Sequence, residues 1–314
     1  MDEMELAPLF KLFGLNVTPY AACIAVGALL SVLLLLSLGK KRFRDDSAWL
    51  LAVLALPLGL IGARVFYILA RVPNTPEVLA DAPYLWHGGF ALWGAVGGSV
   101  LAAFLVSRKR KQSFASLLDL MAAPAALMIC IARFAEFFSG EGHGPALEKE
   151  TFCFFPLCIW NEMWEQWELA VFVFEGIAAL VILILMLLYK PSRPGDRARR
   201  FLILYGTCQV LLESLRRDNF LRWLFVRVSQ LTAVIIMLLM IICAIIRWVK
   251  AHTKAMPKNK LVLYTVLFFL FVGGCIAIEF AVDKSDWPNE LLYSLLAVCA
   301  AGLGVTTWQI VMKN

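Results

Sequence analysis

The segment TPYAACIAVGALLSVLLLLSLGKKRFR, residues 18–44, decides the fold. From Thr18 to Gly39 it holds no charged side chain, and it then closes on Lys40, Lys41, Arg42 and Arg44. A run of this length crosses a bilayer as an α-helix, because about 20 residues at about 1.5 Å each match a hydrocarbon core of roughly 30 Å. Lipid offers the backbone no hydrogen-bond partner, so the run must close its own ladder. The chain starts acidic (Asp2, Glu3, Glu5) and has no small-residue cleavage site before Lys40, so the span is expected to be retained and not removed as a signal peptide.

The same pattern recurs along the chain. Spans are expected near 18–38, 48–70, 88–107, 115–135, 167–189, 199–215, 224–246, 261–281 and 289–311. Of 314 residues, 61% are hydrophobic and 17% charged. A soluble domain carries about 25% charged residues, so the apolar excess is a membrane excess. The fold class is therefore all-α, a polytopic integral membrane bundle. Loops after the odd-numbered spans are basic: Lys40 to Arg44, Arg108 to Lys111, Lys190 to Arg200, and Arg247 to Lys260. The 136–168 loop instead carries seven Glu against one Lys. Basic loops face the cytoplasm, which predicts the N-terminus outside and the C-terminus in the cytoplasm. The net charge of +6 then reflects topology and contact with anionic lipid, and argues against nucleic-acid binding.

The polar stretch Ala251–Lys260, around Pro257, is the one break in composition. It divides a working unit, 1–250, from a linker and two-span hairpin, 251–314, expected to be dispensable for folding the first seven spans. Cys23, Cys130, Cys208, Cys243 and Cys275 lie in or beside spans and read as small apolar residues. Cys153 and Cys158 share the external 136–168 loop, where an oxidising compartment would permit a disulfide. No metal-ligand spacing occurs, and no cofactor is expected. Trp160, Trp164 and Trp167 suit the membrane interface, so the second part of that loop is read as re-entrant or surface-lying.

Ionisable groups inside spans are costly and commonly functional. Here they are Arg64, Asp119, Arg133, Glu136, Glu141, Glu175 and Glu213, with Tyr20 and Gln209 at comparable depth. Arg133 and Glu136 are three apart and share a helix face. Gln209, Glu213 and Arg216 make a second stripe. Arg216, Arg217, Arg222 and Arg227 place positive charge on the outer side, against the orientation rule. A lipid phosphate, which Arg grips bidentately, supplies a reason. Arg64 and Asp119 taken singly read as structural partners within the bundle. Arg133, Glu141, Glu213 and Arg216 taken together read as a polar site open to the outer leaflet.

These residues resemble the prolipoprotein diacylglyceryl transferase family over about Tyr20 to Met240. Tyr20 with Gly27 is similar to the family's first span. Gly62-Ala63-Arg64-Val65-Phe66-Tyr67 resembles its Gly-Gly/Ala-Arg run, and Trp86-His87-Gly88-Gly89-Phe90-Ala91-Leu92-Trp93-Gly94 its Trp-x-Gly-Gly-x-Ser-x-His-Gly run. Ser113-Phe114 with Asp119 and Pro124 follows. Arg133-Phe134-Ala135-Glu136-Phe137-Phe138-Ser139-Gly140-Glu141-Gly142-His143-Gly144 resembles the signature Arg-x-Gly-Asn-Phe-x-Asn-Gly-Glu-x-x-Gly. Phe174-Glu175, Tyr205-Gly206, Glu213, Arg216 and Ser229-Gln230 complete the series.

The resemblance implies a seven-span transferase core in a bacterial cell membrane, extended here by two C-terminal spans. It implies transfer of diacylglyceryl from phosphatidylglycerol, or another anionic glycerophospholipid, to the lipobox cysteine thiol of an exported preprotein. It implies catalytic roles for Tyr20, Arg133, Glu141 and Glu213, and substrate contacts from Arg64, Glu136, Gly144, Tyr205, Gln209 and Arg216. The chain departs from the pattern at Trp93, where the family has His; at Glu136 and Ser139, where it has Asn; and at Gln209, where it has Arg. The external His87 and His143 are candidates to replace the missing imidazole. Two readings stay open on the sequence: a divergent transferase, and a non-catalytic relative that binds lipid or an exported partner. A transporter ranks below both, since no paired broken half-helices occur.

Overall fold

The computed structural model describes residues 9–12, 15–43, 45–71, 79–80, 82–84, 88–147, 150–217, 221–223, 226–250, 256–284 and 287–313. Trp86, His87 and residues 251–255 of the linker lie outside them. Nine long helices run through the described residues: α1 (Pro19–Arg42), α2 (Ser47–Ala70), α3 (Leu92–Arg110), α4 (Phe114–Ser139), α5 (Val171–Leu188), α6 (Asp196–Leu215), α7 (Val228–Lys250), α8 (Lys258–Lys284) and α9 (Asn289–Lys313). All but α3 and α6 are long and apolar enough to cross a membrane by length and composition. α3 ends on Arg108, Lys109 and Arg110, and α6 opens on Asp196, Arg197, Arg199 and Arg200. Those charges, with Gln209 and Glu213 further along α6, lower the hydropathy of the two segments.

Local chemistry sets the helix ends. Thr18 Oγ1 accepts from Ala21 N at 3.2 Å, Pro19 stands in the first turn, and Lys40, Lys41 and Arg42 fill the last. These choices satisfy an orphan amide, preset φ and oppose the negative end of the helix dipole. α4 ends at Gly140, whose φ of +68° stops a helix at no Cβ cost.

By packing, the chain divides into two compact units, residues 1–190 with 216–218, and residues 191–215 with 219–314. In the first, α2 lies against α3 so closely that a Cβ on Gly62, Gly94 or Gly98 would strike the backbone of the facing helix. Small residues permit this approach, and in lipid such packing takes the place of hydrophobic attraction. Gly62 and Gly94, one from each of the sequence motifs around Arg64 and Trp93, are thus the helix contact itself. Asp119, fully buried on α4, takes Arg42 of α1 at 3.2 Å, which is the structural pairing expected for it. Leu35, Leu51, Val106, Leu117 and Leu120 close the core between these helices.

The segment between α4 and α5 differs from expectation. It forms a three-stranded antiparallel sheet with order β3-β5-β4: β3 (His143–Ala146), β4 (Cys158–Asn161) and β5 (Gln166–Ala170), with a 3₁₀ turn at Glu150–Phe152. Two-stranded pairs also form at β1 (Phe10–Leu12) with β2 (Leu15–Val17), and at β6 (Arg222–Trp223) with β7 (Val226–Arg227). Trp160 sits opposite Trp167 across β4 and β5, with ring centroids 5.7 Å apart. Residues 167–170, expected in a span, belong to β5. Cys153 and Cys158 are not joined by a disulfide.

In the second unit α9 packs along α6 and α7 as well as α8. Its buried residues Leu292, Leu296, Ala300, Leu303, Thr307 and Ile310 recur every three or four positions, which is one helix face. The Arg200 guanidinium lies 4.7 Å from the Trp308 ring centroid. The packing boundary therefore falls at Lys190, well before the polar break at 251–260.

Candidate active site

Arg133 and Glu136 project from the last turns of α4, three residues apart. Arg133 Nη1 donates to Glu136 Oε1 at 2.6 Å and reaches Glu175 Oε2 of α5 at 3.3 Å. Arg216 Nη1 donates to Glu136 Oε2 at 2.9 Å and to Glu175 Oε2 at 2.8 Å. Two guanidiniums and two carboxylates thus alternate around one centre, with Glu136, Glu175 and Arg216 all buried. Charges in such a place persist only when paired and hydrogen-bonded, and here each has two partners. Arg133, Arg216, Glu136 and Glu141 all lie within electrostatic range of the Tyr20 hydroxyl.

The turn after α4 frames this centre. Gly140 and Gly142 both take positive φ, +68° and +74°, on either side of the exposed Glu141. A Cβ on Gly142 would come within 2.6 Å of Glu136 Oε2 and 2.8 Å of Phe172 Cβ. Only glycine lets the strand come down onto the carboxylate. Gly144 has the same function one step on, since its Cβ would meet Leu169 and Val171.

The structure brings together Arg133, Arg216, Glu136 and Tyr20, and adds Glu175, which the sequence marks as an intramembrane acid without a site role. Arg64 is buried, and its guanidinium is directed at the carbonyls of Tyr84, Gly88 and Gly89, bracing the segment that leads into α3. Trp93, at the family's His position, is buried in the first turn of α3. In the second unit Gln209 donates to Glu213, and Arg227 Nη1 stands 3.6 Å from Glu213 Oε1. Gln230 donates to Val210 O at 3.0 Å and to Glu279 Oε1 of α8 at 2.7 Å. Tyr205 stacks on Phe201 with centroids 5.9 Å apart.

Sequence reasoning missed Glu168. Its carboxylate, on the central strand β5, accepts from Asn161 Nδ2 at 2.9 Å and Gln166 Nε2 at 2.8 Å, and meets His143 Nδ1 at 2.8 Å. Burial alone would raise its pKa, but these hydrogen bonds from Asn161, Gln166 and His143 hold it below the usual value. A Gln-x-Glu alternation beside an Asn was the only available signal.

A sequence model of prolipoprotein diacylglyceryl transferases matches residues 7–246. The chain belongs to this family. Curated relatives named phosphatidylglycerol–prolipoprotein diacylglyceryl transferase include one from Listeria innocua, 29% identical over 79% of this chain and 92% of its own. One from Clostridium novyi is 30% identical over 78% and 95%, and one from Streptococcus suis 28% identical over 78% and 94%. The match ends before α8, so the final hairpin lies beyond the diacylglyceryl transferase region.

Proposed function

We propose that this chain moves the diacylglyceryl group of phosphatidylglycerol onto the cysteine thiol of an exported prolipoprotein. The observation that carries the reading is the convergence of Arg133 and Arg216 in one buried centre, in a chain whose family match spans both residues. The reaction leaves negative charge on a phosphate, and preorganised guanidiniums stabilise that charge where water is excluded. Tyr20, Glu141 and Gly144 would frame the lipid headgroup, with Arg64 bracing the α3 segment. Glu213, held by Gln209 and Arg227, would act from residues 1–250, along with Tyr205. The basic loops support an orientation with the N-terminus outside and the C-terminus in the cytoplasm.

One observation favours a second reading, a relative that binds glycerophospholipid without transferring it. Glu136 makes the four charges of the centre sum to zero, whereas the family's Asn there would leave one positive charge for the phosphate. Complementation separates the two. In a strain depleted of its own enzyme, the wild-type chain should lipidate a lipobox substrate, read as a mass shift. Failure, with lipidation restored by Trp93→His, Glu136→Asn and Gln209→Arg together, would establish the binding-only relative. Failure of both would remove the transferase reading.

A further inference from the structure

We propose that His143, oriented by Glu168, is the base that takes the proton from the incoming thiol; this rests on the transferase reading above. An ionised carboxylate only accepts hydrogen bonds, and three hydrogen bonds, including the one from His143, stabilise Glu168 in that form. The His143 Nδ1 that faces it at 2.8 Å must therefore carry the hydrogen. Nε2 is then the basic nitrogen of the neutral ring. Asn161 and Gln166 occupy other sites on the carboxylate, so the imidazole is held in one orientation, an arrangement suited to general-base catalysis.

Position supports the chemistry. His143 follows Gly142, the residue pressed onto Glu136. Its own carbonyl accepts from Arg217 N at 2.8 Å, next to Arg216, and the Gly142 carbonyl accepts from Phe172 N at 3.0 Å. Two backbone bonds thus pin His143 at the lip of the arginine centre. The charged residues nearest it are Glu168 of β5, which it contacts, Glu136 of α4, against the preceding Gly142, Glu141 two residues before it, and Arg217, whose backbone N bonds its carbonyl, with Arg216 adjoining. Glu136 is held by both arginines and is a poor base; Glu141 is exposed and is the rival.

The step balances as follows. A free thiol with pKa near about 8.5 is mostly protonated at neutral pH. Sulfur bonds to the glyceryl carbon, its proton passes to Nε2, and the carbon–oxygen bond breaks with its electrons on the phosphate oxygen. Arg133 and Arg216 face that charge.

The test uses the full chain in phosphatidylglycerol-containing vesicles with a synthetic lipobox peptide. His143→Asn keeps an N–H donor to Glu168 and removes Nε2. It should retain the wild-type melting temperature and lipid retention, lose about 10²–10⁴-fold in kcat, and lose the acid limb of the pH profile. Added imidazole should restore part of the rate, as it would not for a structural defect. Glu168→Gln should move the acid limb to lower pH. Wild-type kcat in His143→Asn, a rate loss that imidazole does not relieve, or loss of the acid limb in Glu141→Gln instead, would each overturn the assignment. If the wild-type chain transfers nothing while retaining lipid, the functional reading itself falls and the base falls with it.

Discussion

Replacing Arg216 with Met removes one member of the four-charge centre while keeping an apolar stem of similar length. In the native protein Arg216 holds Glu136 at 2.9 Å and Glu175 at 2.8 Å, with a side chain 4% exposed. Without it the two carboxylates, themselves 9% and 4% exposed, share Arg133 alone, and the four-charge sum goes from zero to minus one. Removing one partner of a buried ion pair costs about 3–5 kcal/mol, mostly the penalty of the charge left behind. That is a large part of a typical stability of about 5–15 kcal/mol. At about 2–4 °C per kcal/mol for a unit of this size, the melting temperature should fall by roughly 6–20 °C. Thermal unfolding in mild detergent, followed by a thiol-reactive dye that reports buried Cys130 and Cys158, gives the measurement. Glu136→Gln with Arg216→Met makes the centre neutral again, so the double variant should melt above Arg216→Met alone. A single variant that melts with the wild type, or a double variant in which the two losses simply add, would refute the account.

Three further outcomes are expected. Glu136→Asn should retain more phosphatidylglycerol in native mass spectrometry than wild type, because the centre gains one positive charge, and Arg133→Ala should retain less. A chain ending at Lys260 should melt lower than the full chain by differential scanning fluorimetry, since it uncovers the buried faces of α6 and α7 and deprives Gln230 of Glu279; an unchanged midpoint would restore the hairpin to the status of an appendage. The depressed pKa of Glu168 gives a sign for pH. Its contribution is present above the unfolded value of about 4.3 and is lost as pH falls through the folded value. Circular dichroism melts of wild type against Glu168→Gln should therefore differ at pH 7 and converge as pH falls through the folded value, below the ordinary carboxylate range.

The helices were legible because their signal is local. Runs of apolar residues placed α1 and α2 to within a few positions, and the Arg133–Glu136 spacing foretold a pair that forms. Ends shifted where a side chain or a turn intervened. Asp196 accepts from Arg193 N at 2.9 Å and pairs with Arg199, so α6 begins before its apolar stretch. Gly88 and Gly89, both at positive φ, delay α3. What hydropathy could not supply was pairing between distant residues. The sheet sets His143 opposite Ala170, and neither strand is long enough to show an alternating pattern. The arginine centre was half visible: Arg133 and Arg216 were grouped from their positions, but Glu175 joins them only because α5 packs against α4.

The contact between Gln230 and Glu279 spans 49 residues of chain. During synthesis at about 5–20 residues per second, roughly 2–10 s separate the appearance of the two. For that interval α7 has one polar side chain whose later partner does not yet exist, in surroundings that penalise such a group. Assembly of the second unit thus waits on its last hairpin. A ribosome stalled between α7 and α8 would present the membrane's quality-control proteases with a helix whose Gln230 has its Val210 and Arg227 backbone partners but not yet its carboxylate.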